Sequence, residues 1–366
     1  MISSVRSPST QRLLIYRLGS LGDTVIALPC FHKIRDTFPN ADITLLTNQP
    51  VMAKAAPLEA ILGKEYFFDR VVAYPVGTRS AFVLTTIIRK IRALQIDTVI
   101  NLTPARTKLS VFRDRLFFRA AGARQLIGFP STPQDFGGID PATGEHEWEA
   151  HKLARRLQAL GPIPLAEEHY WDLRLTAAEQ QEATQVLSSL SREAPIVAIS
   201  IGAKMQVKDW GLANWLALID RLKSSLPSWQ LLMLGAAEEF VSSATLLHAW
   251  NGPSLNLCGK TSPRVSAAVL QRTKLYIGHD SGPMHLAACV GVPCVGIFAA
   301  RNLPRQWYPR GATNQIIYHH VDCAGCNLDT CIAQQKRCIL SITVEEVQQA
   351  VMTIVRSQSH HAFLSS

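Results

Sequence analysis

No stretch of the 366 residues approaches the ~18 consecutive apolar residues that a membrane-crossing helix needs. The first residues, Met-Ile-Ser-Ser-Val-Arg-Ser-Pro, have none of the apolar core of a secretory signal, so the expected location is the cytoplasm. Asp-x-Asp is absent, which leaves a carboxylate-held metal without an obvious ligand set. So is H-E-x-x-H, and His279 and His285 are spaced off any one helical face, which argues against a hydrolytic zinc centre. Ser281 is not framed by G-x-S-x-G, so a hydrolase nucleophile is not expected there. Gly19 and Gly22 do not complete G-x-G-x-x-G, the dinucleotide fingerprint. Basic residues are not interleaved with base-stacking aromatics, so nucleic acid is not an expected partner. No internal repeat is visible.

What remains is a chain with 47% hydrophobic and 18% charged residues, ordinary for a soluble enzyme, and long enough for two domains. Its net charge of +9 is unevenly placed. Residues 1–160 hold 21 Lys+Arg against 13 Asp+Glu, and the remainder is almost balanced. Arg79 to Arg124 alone carries ten basic residues against Asp97 and Asp114. This segment either meets an anionic partner, such as a phosphorylated lipid or membrane surface, or is a solvated basic face.

Apolar, β-favouring runs alternate with helical periodicity. Arg12–Arg17, Asp42–Thr47, Arg70–Tyr74, Asp97–Leu102, Ala194–Ser200, Trp229–Leu234, Lys274–Ile277 and Pro293–Phe298 read as strands. Helices are expected at Thr24–Phe38, Ser80–Leu94, Leu109–Ala121, His146–Leu160, Thr176–Leu190 and Thr343–Val355. The pattern predicts an α/β protein of two doubly wound, Rossmann-like domains. They would occupy residues 1–165 and 166–342, followed by a helix over 343–357 and a mobile tail over 358–366. Ser80–Leu94 reads as an amphipathic core helix with a basic outer face rather than a membrane-surface helix.

Gly278-His-Asp-Ser-Gly-Pro-Met-His285 stands out. Gly278 ends a strand, Asp280 and Ser281 are helix-capping types, and Gly282-Pro283 opens a helix. Unpaired N–H groups and the positive dipole end at such a start suit a phosphate, with His285 one turn in as a further donor. Asp23 follows the first strand at a helix entrance. It is either an N-cap or a general base at the carboxyl end of the sheet. Cys323-x2-Cys326-x4-Cys331-x6-Cys338 leaves two readings open: a structural zinc held by four thiolates, or four reduced cysteines in a loop. The other four cysteines read as core residues.

Arg17-Leu-Gly-Ser-Leu-Gly-Asp23, Lys208-Asp-Trp210 with Trp215, Asp280-Ser-Gly-Pro-Met-His-Leu-Ala287, and the cysteine cluster followed by Ile342-Thr-Val-Glu-Glu-Val347 resemble glycosyltransferase family 9, the lipopolysaccharide heptosyltransferases. The resemblance implies a GT-B fold, with two Rossmann-like domains facing across a cleft, the N-terminal one binding acceptor and the C-terminal one binding donor. It also implies a last helix that crosses back to the N-terminal domain. Asp23 would be the catalytic base of an inverting, metal-independent transfer, most simply of heptose from ADP-heptose. Lys208, Ser281, Gly282 and His285 would bind the diphosphate, and Asp280 the donor sugar. Gly202 and Lys204, after the first strand of the second domain, are further donor-site candidates. Gly19, Arg106, Lys108 and Arg113 are the acceptor-site candidates, for an anionic glycolipid or oligosaccharide at the cytoplasmic face of the inner membrane. The rival readings are a transferase for another nucleotide-sugar, a nucleotide-sugar epimerase or hydrolase, and a non-catalytic nucleotide-sugar binder.

Overall fold

A strand buried on both faces of a parallel sheet reads as an unbroken apolar run, and Leu13-Leu-Ile-Tyr16 and Ile196-Val-Ala-Ile199 are such runs. The computed structural model describes residues 11–49, 56–75, 77–78, 80–104, 106–136 and 145–364, the last five by backbone alone. The chain divides into two compact units. One takes in Met1–Asp140 and Glu149–Tyr170, the other Pro141–Trp148 and Trp171–Ser366. The expected boundary after residue 165 therefore falls at Tyr170/Trp171, and a short segment before Glu149 belongs with the second unit. Trp171 is fully buried, and its carbonyl accepts from Cys289 Sγ of the second unit at 2.9 Å.

The first unit contains β1 (Arg12–Tyr16), β2 (Asp42–Asn48), β3 (Arg70–Tyr74), β4 (Thr98–Asn101) and β5 (Gln125–Ile127). They form one parallel sheet in the order β3-β2-β1-β4-β5. Leu14, Leu46, Val72 and Val99 meet Ile87, Ile91 and Phe118 in a core between this sheet and the helices Ala81–Ala93 and Lys108–Ala120. The expected Thr24–Phe38 helix is two helices, Leu21–Ile26 and Leu28–Thr37, with Pro29 in the first turn of the second. Proline cannot donate within a continuing helix but fits a first turn.

The second unit contains β6 (Ile196–Ser200), β7 (Gln230–Met233), β8 (Ser254–Asn256), β9 (Leu275–His279), β10 (Cys294–Phe298) and β11 (Gln315–Tyr318). The order is β11-β10-β9-β6-β7-β8, all parallel, the Rossmann arrangement. Helix Val344–Leu364 packs Val347, Val351 and Ile354 into this unit's core. It runs beyond the expected end, through most of the segment expected to be a tail. The strands that sequence reading did not anticipate, β5, β8 and β11, are three or four residues long and lie at sheet edges. Runs that short carry too few alternations to register as a period. Among the described residues, no helix is long and apolar enough to cross a membrane.

Candidate active site

In doubly wound sheets, ligands collect where two neighbouring central strands send their connections to opposite sides. In the second unit those strands are β6 and β9. The loop after β6 runs from Ile201 to Lys208, and β9 delivers His279, Asp280 and the helix Gly282–Cys289. Gly278 is required on β9 because the Tyr276 side chain lies where a Cβ would be. Ser281 takes the N-cap position with extended backbone, yet its hydroxyl makes no capping bond. With no side-chain cap and Pro283 in the first turn, the N–H groups of Gly282 and Met284 remain open to an anion.

Asp280 is not the helix cap. Its carboxylate turns to Lys208, whose Nζ lies 2.5 Å from Oδ2 and 3.0 Å from the Asp280 carbonyl. His285 Nε2 stands 3.9 Å from Oδ1, too far for a direct hydrogen bond. Burial pushes the Asp280 carboxyl up, but Lys208 and His285 outweigh it and hold the group well below the usual carboxylate range. Both Asp280 and His285 are buried, and His285 Nδ1 has no hydrogen-bond partner. An ammonium, an imidazole and a helix start thus meet around one carboxylate.

His279 serves a different end. Its Nε2 accepts from the Trp210 N–H at 3.2 Å, so Nδ1 carries the proton toward the Gly202 carbonyl at 3.3 Å. Burial lowers its pKa to about 4, keeping the ring neutral. It fixes both ends of the loop that carries Lys208. Trp210 anchors that loop by donating its indole N–H to the Ile342 carbonyl at 2.9 Å and packing edge-on to Trp215. The cysteine-bearing loop braces it further: Cys331 N–H donates to Gln206 Oε1, Lys336 Nζ to the Asp209 carbonyl, and Val207 N–H to the Asp329 carbonyl. Lys204 is exposed on this loop.

Glu239 is a residue that sequence reading missed. Its Oε2 accepts from the Ala236 N–H at 2.7 Å, and its carboxylate covers Gly202 and Gly235 so closely that a methyl group on either would collide with it. An acid beyond the second strand of a Rossmann unit commonly meets ribose hydroxyls. The signal was present as glycines ending two adjacent strands, with Ala-Ala-Glu-Glu after the second.

In the first unit, Asp23 is the third residue of helix Leu21–Ile26, not its N-cap. Ser20 donates from both N–H and Oγ to Asp23 Oδ2, each at 2.7 Å. Gly19, at φ +134°, lies against this carboxylate, and a Cβ there would come within 2.5 Å of the Asp23 Cβ. Fully buried Arg17 donates to the carbonyls of Asp23 and Leu102, so it ties the loop after β1 to the end of β4.

An open hollow lies at the carboxyl ends of β1 and β4, the switch point of the first unit, and Tyr16, Asn101, Thr103, Arg106, Ser110 and Arg113 line it. Its floor is held by Arg156, which donates to the carbonyls of Gly128, Thr103 and Asn101 at 2.7, 2.8 and 2.9 Å. Burial lowers the Arg156 pKa to about 10, so the group stays cationic at neutral pH. Arg106 is exposed at the rim, and Arg113 pairs with Asp114 at 2.9 Å. Lys108 is exposed at the start of its helix and does not line the hollow.

Cys331 and Cys338 are buried, whereas Cys323 and Cys326 are half-exposed. Among the described residues, no group of three or more His, Cys, Asp or Glu side chains is placed to hold a metal ion.

Comparison with known proteins gives one consistent answer. Residues 84–337 match the family described as glycosyltransferase family 9 (heptosyltransferase). The chain is 25% identical over 304 residues to lipopolysaccharide heptosyltransferase 3 of Escherichia coli (strain K12), covering 76% of this chain and 80% of that protein. It is 21% identical over 349 residues to lipooligosaccharide heptosyltransferase 2 of Campylobacter jejuni, 94% of this chain and 99% of that one. Among solved structures, the glycosyl transferase family 9 protein of Veillonella parvula superimposes with a TM-score of 0.71 at 19% identity, over 96% and 99% of the two chains. The E. coli heptosyltransferase WaaC with ADP-2-deoxy-2-fluoro heptose superimposes at 0.63 with 16% identity, over 93% and 99%. The fold of both units is thus that of the GT-B heptosyltransferases.

Proposed function

The chain belongs to glycosyltransferase family 9, and from that premise we propose that it transfers heptose from ADP-heptose to a hydroxyl of a lipopolysaccharide-core or related envelope glycan. The observation that carries the reading is the Lys208–Asp280–His285 group beside the uncapped helix start at Gly282. The relatives named as lipopolysaccharide and lipooligosaccharide heptosyltransferases, and a structural neighbour holding ADP-2-deoxy-2-fluoro heptose, support the donor and acceptor classes.

In this mechanism Asp23 accepts the proton of the acceptor hydroxyl, with Ser20 holding the carboxylate and Arg17 its backbone. The acceptor oxygen bonds to the anomeric carbon as the bond to the β-phosphate oxygen breaks, which inverts the centre. The electron pair leaves with the ADP. Lys208, the N–H groups of Gly282 and Met284, and His285 take up the charge that develops there, so no metal is needed for the step. Asp280, whose carboxylate the same lysine orients, accepts from donor-sugar hydroxyls. Glu239 accepts from the ribose hydroxyls, and Gly202 and Gly235 give it room. On the acceptor side, Arg106 and Arg113, which line the hollow, meet phosphate or carboxylate groups, and Gly19 shapes the Asp23 loop. A glycolipid acceptor implies peripheral association with the cytoplasmic membrane face.

Calorimetry of the purified protein against ADP-, UDP- and GDP-sugars, followed by a transfer assay with the best binder, tests the proposal. Preferential binding and turnover of ADP-heptose is expected. Selective binding and transfer from a UDP- or GDP-sugar would overturn the donor assignment.

A further inference from the structure

The helix Lys108–Ala120 buries Val111 and Phe118 against the first unit's sheet, yet its opposite side is not polar. Leu109, Phe112 and Leu116 are 76%, 59% and 54% exposed. Their spacing puts all three within about 60° of the helix circumference, centred opposite Phe118. Lys108, Arg115 and Arg119 flank this stripe on one side and Arg113 on the other, all exposed. The neighbouring helix Ala81–Ala93 runs parallel, tied at its end by Arg92 to the Ala120 carbonyl at 2.6 Å, and brings Phe82, 78% exposed, to the same end as Leu109. Its own basic residues, Arg89, Lys90 and Arg92, face outward. An exposed apolar stripe between cationic flanks has the design of an in-plane interfacial helix, with lysine and arginine stems reaching up to headgroups.

We propose that this face, with Leu109, Phe112 and Leu116 as its apolar centre, docks the protein on an anionic phospholipid surface. The proposal deepens the peripheral association put forward above and rests on it. Charge complementarity selects this occupant: Arg79 to Arg124 holds ten basic residues against two acidic ones, a balance that would repel a second copy of the same face. Ser110 and Arg113 of this helix also line the hollow after β1 and β4, so docking would present the acceptor hollow to glycan leaving the lipid surface.

The test is co-sedimentation of the full chain with phosphatidylcholine vesicles, with and without phosphatidylglycerol. Wild type should bind the anionic vesicles and not the zwitterionic ones. Affinity should fall with added salt, each lysine or arginine near the surface being worth about fivefold at low ionic strength. The L109Q/F112Q/L116Q variant should lose at least about tenfold in binding. Its thermal melting and its turnover of a soluble, delipidated acceptor should be unchanged. Wild-type binding by the triple variant would overturn the assignment of this face and leave peripheral association standing. A wild-type dimer in light scattering that becomes monomeric in the variant would instead identify a second copy as the occupant. Failure of wild type to bind any vesicle would remove the docking and the peripheral reading together, while glycosyl transfer is judged by its own assay.

Discussion

Replacing Lys208 with alanine perturbs two things that can be measured apart. The first is stability. The ammonium lies 2.5 Å from Asp280 Oδ2, with the lysine side chain 16% and the aspartate 7% exposed. Removing it leaves a carboxylate almost out of water with His285 Nε2, at 3.9 Å, as its nearest imidazole. Stranding one member of a buried pair costs about 3–5 kcal/mol, and water reaching the emptied lysine channel should reduce this to about 2–3 kcal/mol. That corresponds to a fall in Tm of roughly 5–10 °C for a unit of this size. The sign with pH follows from Asp280. Its folded pKa is depressed, so its contribution is present above the unfolded value of about 3.9 and is lost as pH falls below it. The gap between wild type and variant should therefore be widest near neutrality and close on acidification. The second effect is on the reaction: losing a preorganised cation at the leaving diphosphate should lower kcat by roughly 10²–10³. Adding Asp280→Ala to Lys208→Ala should restore part of the stability, because the stranded charge is gone, and none of the turnover. Wild-type kcat in Lys208→Ala would refute the assignment of Lys208 to the leaving group.

Asp23→Asn should lower kcat by about 10²–10⁴ while calorimetry finds donor affinity unchanged, since the base acts on the acceptor. Gly235→Ala pushes a methyl group into Glu239, and Glu239→Gln weakens its bonds to ribose; both should raise the Kd for ADP, with Asp23→Asn as the unaffected control. His279, at about 4 against an ordinary 6.5, stays neutral in the fold while the unfolded chain takes up a proton between those values. Denaturant titrations should show stability falling by roughly 3 kcal/mol from pH 6.5 to 4, a slope absent in His279→Gln. Dialysis against a chelator should leave the transfer rate unchanged; a loss restored by a divalent cation would overturn the metal-free step.

The sheets were legible because central parallel strands are continuous apolar runs: Arg12–Tyr16, Ile196–Ser200 and Cys294–Phe298 needed no tertiary information, whereas β9 runs through Gly278, expected to end it, to His279. The short edge strands β5, β8 and β11 and the break before Pro29 were not, being set by a few residues and by what packs beside them. The turn at Asp280–Gly282 announced a helix start through Ser, Gly and Pro, but the same pattern suggested capping by Asp280. Only the fold brings Lys208 across 72 residues to claim that carboxylate. His279 and Arg17 were opaque for the same reason: a buried polar group is explained by its partners, Gly202 and Trp210 for one, Asp23 and Leu102 for the other. The basic segment was visible as charge, whereas its apolar stripe emerged only once Val111 and Phe118 were seen to claim the opposite side of the helix.

The most direct test of the central claim is mass spectrometry of a soluble lipopolysaccharide-core acceptor incubated with the protein and ADP-heptose, with the anomeric configuration of the product read by NMR. The account predicts a gain of one heptose per acceptor, inverted relative to the donor, matched by ADP release and abolished by Asp23→Asn. Consumption of ADP-heptose with no change in acceptor mass would contradict it.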